Sequence, residues 1–561
     1  MKTMSQQEKS IRHESSRAPR ALVGFAKGPL LLIFAAVVLV LLATSGRYGY
    51  FADELYALAA GRRLDWGYAD QPPLVPLLAV AMDTLLPGSV VALRIPAALV
   101  TGAGVFVVAL LAREFGGDRR AQALAAGAWA VTVQFVSAGH MLVTWAFDPF
   151  LWAVITWLLV RWTRLHHEGR AADGLLLWAG VVTAVALQVK FLIPAFWACA
   201  VLAVVATGPR ELLRRPMLWC GAATALITTV PTLVWQHTHG WPQLRMPTAI
   251  AAENWYGWLF VPLAVTCAGA VGAVLVCYGL WHLLSAPELR AYRYLGWTAL
   301  GVTAVFFLAE GRPYYVAGLY GLLYAVASVG LQRRREAGAR QRWVAWPAFG
   351  ASACLALAAL PILPASAISP HDVFSRGSVG WPKITAIVAD TYHRLPSDRQ
   401  RTTAVLTHDY WSAAALDRYG PEFGVPRPYS GSRGFWYLGQ PPDDAEQVVY
   451  LGGNERYLRA FFHEVRLATT VHSGLEVETY YEGTPVWLAA GPKQPWPRLW
   501  PQLRRFGIFD GSTGSGNDVP GGDGARHLAM SPDRANAVGG SHDRVMTGVA
   551  GYRPVVPWCD R

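Results

Sequence analysis

Charge is scarce in this sequence. Only 15% of its 561 residues are Asp, Glu, Lys or Arg, against roughly 25% in an ordinary soluble domain, and that deficit excludes a chain folded as one water-soluble globule. Cysteine is scarce as well. Of the six, Cys199, Cys220, Cys267, Cys277 and Cys354 lie inside apolar runs and Cys559 stands alone. No CxxC spacing or cysteine framework is present, so a disulfide scaffold is excluded and a thiolate metal site has no support. Collagen-like and coiled-coil classes fall away on composition. Acidic residues are the rarer sign, 37 against 49 basic, for a net charge of +12. The basic residues sit in short clusters between apolar runs, a distribution that suits anionic lipid as a neighbour and not nucleic acid.

What the chain has in abundance is apolar sequence, 53% of residues, with 24 Trp and 22 Tyr whose amphipathic rings favour membrane–water interfaces. Apolar segments lie at 28–44, 89–112, 121–139, 148–160, 174–189, 191–207, 216–235, 258–284, 294–309, 314–331 and 343–363. The reading is a polytopic α-helical membrane protein with about 11 transmembrane helices. Residues 1–27 carry Lys2, Lys9, Arg12, Arg17, Arg20 and Lys27. This polar leader is long, lacks a convincing small-residue cleavage pattern and is followed by further spans, so it reads as a cytoplasmic tail rather than a signal peptide. Counting from a cytoplasmic start, alternate loops hold Arg113/Arg119/Arg120, Arg161/Arg164/Arg170, Arg210/Arg214/Arg215, Arg290/Arg293 and Arg333/Arg334/Arg335. That alternation follows the positive-inside rule and places segments 45–88 and 364–561 outside the cell membrane.

The outer C-terminal segment is soluble in composition. Helical patterns at 384–392 and 411–419, and strand-like runs at 402–406, 448–451, 465–471 and 485–489, predict a small α/β domain over 364–510. Residues 511–561 lose periodicity, gain Gly, Ser, Asp and Asn, and read as a disordered tail. The domain plan is thus a tail (1–27), a membrane domain (28–363) with a first outer loop (45–88), the α/β domain, and the second tail.

Ionisable residues that interrupt apolar sequence mark candidate chemistry. Asp53 and Glu54 follow the first span in Tyr50-Phe51-Ala52-Asp53-Glu54; the plain alternative is a pair of solvated loop carboxylates. Asp70, in Asp70-Gln71-Pro72-Pro73-Leu74, taken alone reads as a helix N-cap in preference to a functional carboxylate. Asp148, before Pro149, repeats the ambiguity at the outer end of another span. Lys190 lies between two apolar runs on the side where the positive-inside rule disfavours it. A cation deep in a helix costs about 2.5–3.5 kcal/mol on insertion scales, so an anionic partner is favoured over simple snorkelling. Arg312 in Gly311-Arg312-Pro313-Tyr314-Tyr315, and Arg245 in Leu244-Arg245-Met246-Pro247, are further outer-face cations.

Taken together these motifs resemble the polyprenyl-phosphate-sugar-dependent membrane glycosyltransferases, the glycosyltransferase family 39 and protein-mannosyltransferase-like proteins related to the bacterial aminoarabinose transferases. The resemblance runs through Asp53-Glu54, Leu64-Asp65-Trp66-Gly67-Tyr68, Asp70 to Leu74, Arg113-Glu114-Phe115-Gly116-Gly117, Lys190-Phe191 and Gly311 to Tyr315. It continues through Ala414-Ala415-Leu416-Asp417-Arg418-Tyr419-Gly420 and Tyr429-Ser430-Gly431, covering roughly residues 28–510. It departs where relatives tend to have Asn-Tyr-Gly-Glu, here Asp409-Tyr410-Trp411-Ser412, and where His-Asn is usual, here Ser432-Arg433. Both departures bear on acceptor recognition.

The resemblance implies a GT-C membrane fold that moves a sugar from a polyprenyl-phosphate donor to a protein, glycan or lipid acceptor outside the cell membrane. Asp53 is the expected base, with Glu54, Asp70 and Asp148 as further catalytic candidates. Lys190, Arg312, Tyr314, Tyr315 and Arg245 are the expected substrate-binding residues. A divalent metal on Asp53, Glu54 and Asp148 is conceivable because hard cations take carboxylate oxygens; no nucleotide or redox cofactor is expected. Two rivals remain: a transporter or flippase for a lipid-linked sugar, disfavoured by the lack of an obvious internal repeat, and a non-catalytic relative that binds cell-wall polymer. The topology is testable. A reporter active only outside the cytoplasm, fused after Ala365, is expected to be active; activity of a cytoplasm-only reporter at that junction would reverse the orientation and scatter the candidate residues.

Overall fold

Each of the eleven apolar segments falls on helix in the computed structural model, which describes residues 22–253, 256–338, 345–370, 372–477 and 479–507. Most of the expected 1–27 tail and all of the expected 511–561 tail lie outside the described residues. Four helices, Lys27–Ser45, Val90–Glu114, Pro216–Thr238 and Pro313–Glu336, are long and apolar enough to cross a membrane. Two bent pairs raise the number to six if each is one span: Arg119–Ala130 with Val133–Gly139, bent by 58°, and Gly257–Thr266 with Gly269–Ser285, bent by 107°. Length is the limit for others: Gly174–Leu187 and Ile193–Thr207 have 14 and 15 residues, roughly 20 Å of helix against a hydrocarbon core of about 30 Å. The eleven expected spans thus correspond to helical stretches, of which four to six have spanning length and composition.

The sharper of the two bends has a visible cause. Gly269 takes φ +76°, a conformation open to glycine, and the amide of Val271 in the new helix donates to Ser352 Oγ (2.7 Å). Along the Lys27–Ser45 helix Leu31, Leu32 and Leu39 are exposed while Leu30 and Leu41 are buried, so one side faces the bundle and the other presents apolar side chains outward, as a lipid-facing helix does.

Segment 45–88, expected as the first outer loop, is helical at Ala52–Gly61 and Leu74–Leu85. An ion pair sealed from solvent fixes it. Glu54 and Arg94 have 0% and 1% side-chain exposure. Arg94 donates through Nε and Nη2 to the two Glu54 oxygens (2.9 and 2.7 Å), and its terminal nitrogens also reach the carbonyls of Ser45 (2.6 Å) and Gly49 (3.0 Å). Glu54 also accepts the amides of Phe51 and Leu142, each at 2.8 Å. One carboxylate thus pins the start of its own helix to the Val90–Glu114 helix and to the turn at Leu142.

In the C-terminal unit the strands are β1 Thr403–Thr407, β2 Pro428–Ser430, β3 Gln447–Leu451, β4 Phe462–Thr470 and β5 Pro485–Pro492, in the order β2-β1-β3-β5-β4. β1 pairs parallel with β2 and β3, and β5 pairs antiparallel with β3 and β4. β1 and β3 are buried along their whole length, as central parallel strands are. Alternation sends Val405, Val449, Leu451, Val486 and Leu488 into the apolar cluster that fills the helical bundle. The opposite face, with Ala404, Leu406, Val448, Tyr450 and Ala489, forms a separate cluster around Phe461, Trp496 and Trp500. Helices Trp381–His393 and Tyr410–Tyr419 lie between sheet and bundle and bury Ile384, Val388 and the run 413–416 in the shared core.

Glu54→Ala would leave Arg94 buried without its counter-charge, which costs about 3–5 kcal/mol when a buried pair is broken from one side. Detergent-solubilised E54A protein is expected to unfold at a clearly lower temperature than the parent, and an unchanged midpoint would refute the anchoring role.

Candidate active site

Asp53 stands next to the sealed Glu54, in the first turn of Ala52–Gly61 where an anion is favoured by the helix dipole. Tyr410 donates its hydroxyl to Asp53 Oδ1 (2.9 Å), and Trp411 donates Nε1 to the same oxygen (2.7 Å). Among the described residues Oδ2 has no hydrogen-bond partner, and the residue is only partly buried. Both donors come from the first turn of Tyr410–Tyr419, which Asp409 starts as its N-cap by accepting the Ser412 amide at 2.9 Å. Tyr481 donates its hydroxyl to that same Asp409 oxygen (2.5 Å), so the cap is itself fixed and aims Tyr410 and Trp411 at Asp53.

One turn after Asp53, Tyr56 donates to Asp70 Oδ1 (2.7 Å), and its ring meets the ring of Tyr410 edge-on at 5.0 Å. Asp70 is not an N-cap: the next helix begins at Leu74 with Pro73 before it and no side-chain cap. Its carboxylate belongs instead to the cluster around Asp53. Burial pushes the Asp70 carboxyl above the usual carboxylate range, against Arg433 and the Tyr56 hydroxyl, which pull it down. Burial beside these carboxylates drives the Tyr56 and Tyr410 hydroxyls upward too, so both stay neutral donors.

From Tyr410 a row of charges leads toward Lys190. Arg433 Nη1 lies 3.5 Å from the Tyr410 hydroxyl and Nη2 pairs with Glu253; the other Glu253 oxygen is 3.4 Å from Arg312 Nη2. Tyr314 follows Arg312 and shares Lys190 with Tyr315 and Trp145, whose ring centroids are 5.6, 4.6 and 5.9 Å from the ammonium nitrogen. Lys190 lines a small cavity with Trp145, Asp148, Trp152, Tyr314 and Tyr315. Asp148 is buried there, and its Oδ1 has no hydrogen-bond partner among the described residues. The Leu74 amide, donating to Gln188 O (3.0 Å), ties the Asp70 segment to the turn that carries Lys190.

Two expected residues stand elsewhere. Glu54 is consumed by Arg94, Phe51 and Leu142, which leaves it no lone pair for a substrate or a metal, so the structure corrects its catalytic reading to an anchoring one. Arg245 is exposed, with its guanidinium 5.7 Å from the Phe506 ring, outside the row. The proposed metal set does not assemble: Glu54 is saturated, Asp148 sits in the Lys190 cavity, and no three His, Cys, Asp or Glu side chains among the described residues form a metal-binding group. Asp65 also proves structural, accepting Trp235 Nε1 at 2.7 Å. The sequence reading missed Tyr410, Trp411, Arg433 and Glu253 as site residues; the only signal for the first three was that they fall in the two stretches that depart from the family pattern.

Residues 70–235 match the sequence model of the dolichyl-phosphate-mannose-protein mannosyltransferase family. No curated protein matches the chain. Among solved structures, apo ArnT from Cupriavidus metallidurans is similar with a TM-score of 0.54 at 16% identity, covering 83% of this chain and 99% of that one. The same protein bound to undecaprenyl phosphate gives 0.51, also at 16% identity, over 82% and 99%. A looser likeness, with a TM-score of 0.45 at 14% identity, is to the Archaeoglobus fulgidus oligosaccharyltransferase tethered with an acceptor peptide, over 69% of this chain and 63% of that one. The resemblance read from the motifs is thereby borne out over part of the chain: residues 70–235 match the mannosyltransferase family model, and the fold is similar to that of ArnT.

Proposed function

We propose that this protein is a membrane glycosyltransferase that moves a sugar from a polyprenyl-phosphate donor to an acceptor on the extracytoplasmic side, with inversion, and with Asp53 as the base. The observation that supports this reading is the asymmetry of Asp53: two fixed donors hold Oδ1, while Oδ2 is left without a partner among the described residues. An oriented carboxylate with one free oxygen suits removal of a proton from an acceptor nucleophile. The leaving group is a phosphate, which needs little protonation, so a single base suffices and a single in-line displacement inverts the anomeric carbon.

Lys190 and Arg312 are the proposed phosphate ligands, the first as a point charge and the second as a planar fork. Tyr314, Tyr315 and Trp145 pack around the Lys190 ammonium and restrict where a phosphate can approach. Asp70, tied through Tyr56 to the same cluster as Asp53, is assigned to acceptor orientation, and Asp148 to the donor side of the row. The scheme assigns no step to a metal: of the carboxylates expected to hold one, Glu54 is committed to Arg94 and Asp148 lies in the Lys190 cavity. The site lies in the cytoplasmic membrane, with the N-terminus inside and the α/β unit outside, in keeping with the distribution of basic loops.

Asp53→Asn keeps the shape and both hydrogen bonds to Oδ1 but removes the base, so turnover is expected to fall by about two to four orders of magnitude while donor binding survives. Lys190→Ala is expected to weaken donor capture instead. Both are measured with purified, equally folded protein and a polyprenyl-phosphate sugar, following release of the lipid phosphate. Near-normal transfer by D53N would remove Asp53 from the mechanism.

A further inference from the structure

Arg433 is held with unusual rigidity for a long side chain. Its φ of +46° lies in the left-handed region, which non-glycine residues occupy at a conformational cost and which concentrates at functional positions. Its amide donates to Arg505 O (2.7 Å) and its Nε to Phe506 O (3.0 Å). Ser432 forms a parallel bridge with Arg505 alongside. These bonds fix the plane of the guanidinium and leave its two terminal nitrogens for Tyr410 and Glu253.

Glu253, the last residue of the helix Met246–Glu253, spans two guanidiniums with one carboxylate: Arg433 from the α/β unit on one oxygen, and Arg312 from the turn before Tyr314 on the other. Its side chain is 6% exposed. A pair of converging guanidiniums offers an anion two forks of N–H donors, the geometry that a carboxylate and a phosphate both accept.

We infer that Arg433 is a second guanidinium of the donor-phosphate site, and that Glu253 is the internal anion with which the donor phosphate exchanges. The inference rests on the reading of Lys190 and Arg312 as phosphate ligands. On binding, the phosphate takes the bridging position between Arg312 and Arg433, and Glu253 gives it up. Because Arg433 also touches Tyr410, which holds Asp53, the exchange joins donor arrival to the geometry of the base.

The test is equilibrium binding of undecaprenyl phosphate to the full-length protein in detergent, with inorganic phosphate as a second arm and thermal unfolding as a check on the fold. Glu253→Gln keeps a hydrogen-bonding group but removes the competing charge, so it is expected to bind undecaprenyl phosphate about tenfold tighter, with a lower KM for donor in the transfer assay. Arg433→Gln is expected to bind about tenfold more weakly, and Arg433→Lys to fall between, since the charge stays and the fork is lost. A strut with no ligand role would lower the unfolding temperature and leave the donor KM unmoved.

E253Q that folds like the parent and binds undecaprenyl phosphate no tighter overturns the exchange. Should E253Q or R433Q fail to fold, R433K decides: unchanged binding overturns the assignment and weakened binding supports it. An equal gain for inorganic phosphate in E253Q shows a general phosphate site and overturns the donor assignment. If K190A weakens binding while E253Q and R433K do not change it, the proposed function stands and this inference alone falls. If the parent protein does not bind undecaprenyl phosphate, both fall.

Discussion

The position of Asp53 depends on its neighbour. Glu54 is the only residue of the pair that is fully sealed, and the cost of leaving a charge in that environment is met by the Arg94 fork and by two backbone amides. Four bonds to one carboxylate set the helix Ala52–Gly61 against the Val90–Glu114 helix and leave little freedom in angle or depth. The adjacent residue, about 100° around the helix, then has no choice but to face Tyr410 and Trp411. A buried ion pair contributes modestly to net stability once desolvation is counted, yet it specifies a single geometry, and here that geometry is the one the proposed chemistry requires.

The second constraint is the continuous apolar core. Because one face of the sheet packs into the same cluster as the helices of the bundle, the α/β unit is docked rather than tethered, and the first turn of Tyr410–Tyr419 meets the helix Ala52–Gly61 at hydrogen-bonding distance. The same docking brings Arg433 to Glu253. Asp409 and Tyr481 orient the donors, Arg505 and Phe506 orient the guanidinium, and each of these supports comes from the α/β unit itself.

Much of this is legible in the sequence where the signal is local. Long apolar runs mark the helices, and the strand-like runs at 402–406, 448–451, 465–471 and 485–489 match β1, β3, β4 and β5. β2, three residues long and led by Pro428, carries too little periodicity to show. Asp53 and Glu54 cannot be told apart because adjacent residues share composition and context, and only the arrival of Arg94, 40 residues on, separates them. Asp70 before two prolines matches the local pattern of a cap; the hydroxyl that claims it is 14 residues earlier. The partners of Asp53 lie 357 and 358 residues along the chain, beyond any local pattern. Which apolar stretches cross a membrane unbroken is equally hidden, because hydropathy does not report where a helix bends or stops short.

The shared core has an evolutionary reading. A domain that hangs from a linker can be exchanged whole between relatives, and new specificity then arrives by recombination. Here the seam runs through Val405, Val449 and Leu451 on one side and the bundle on the other, so a transplanted α/β unit would have to match a foreign apolar surface before it could present any polar group. Within this architecture a single substitution among the polar groups that face Asp53, at a position such as Arg433, alters the site at less cost than an exchange of the whole unit, because the seam beneath it is kept.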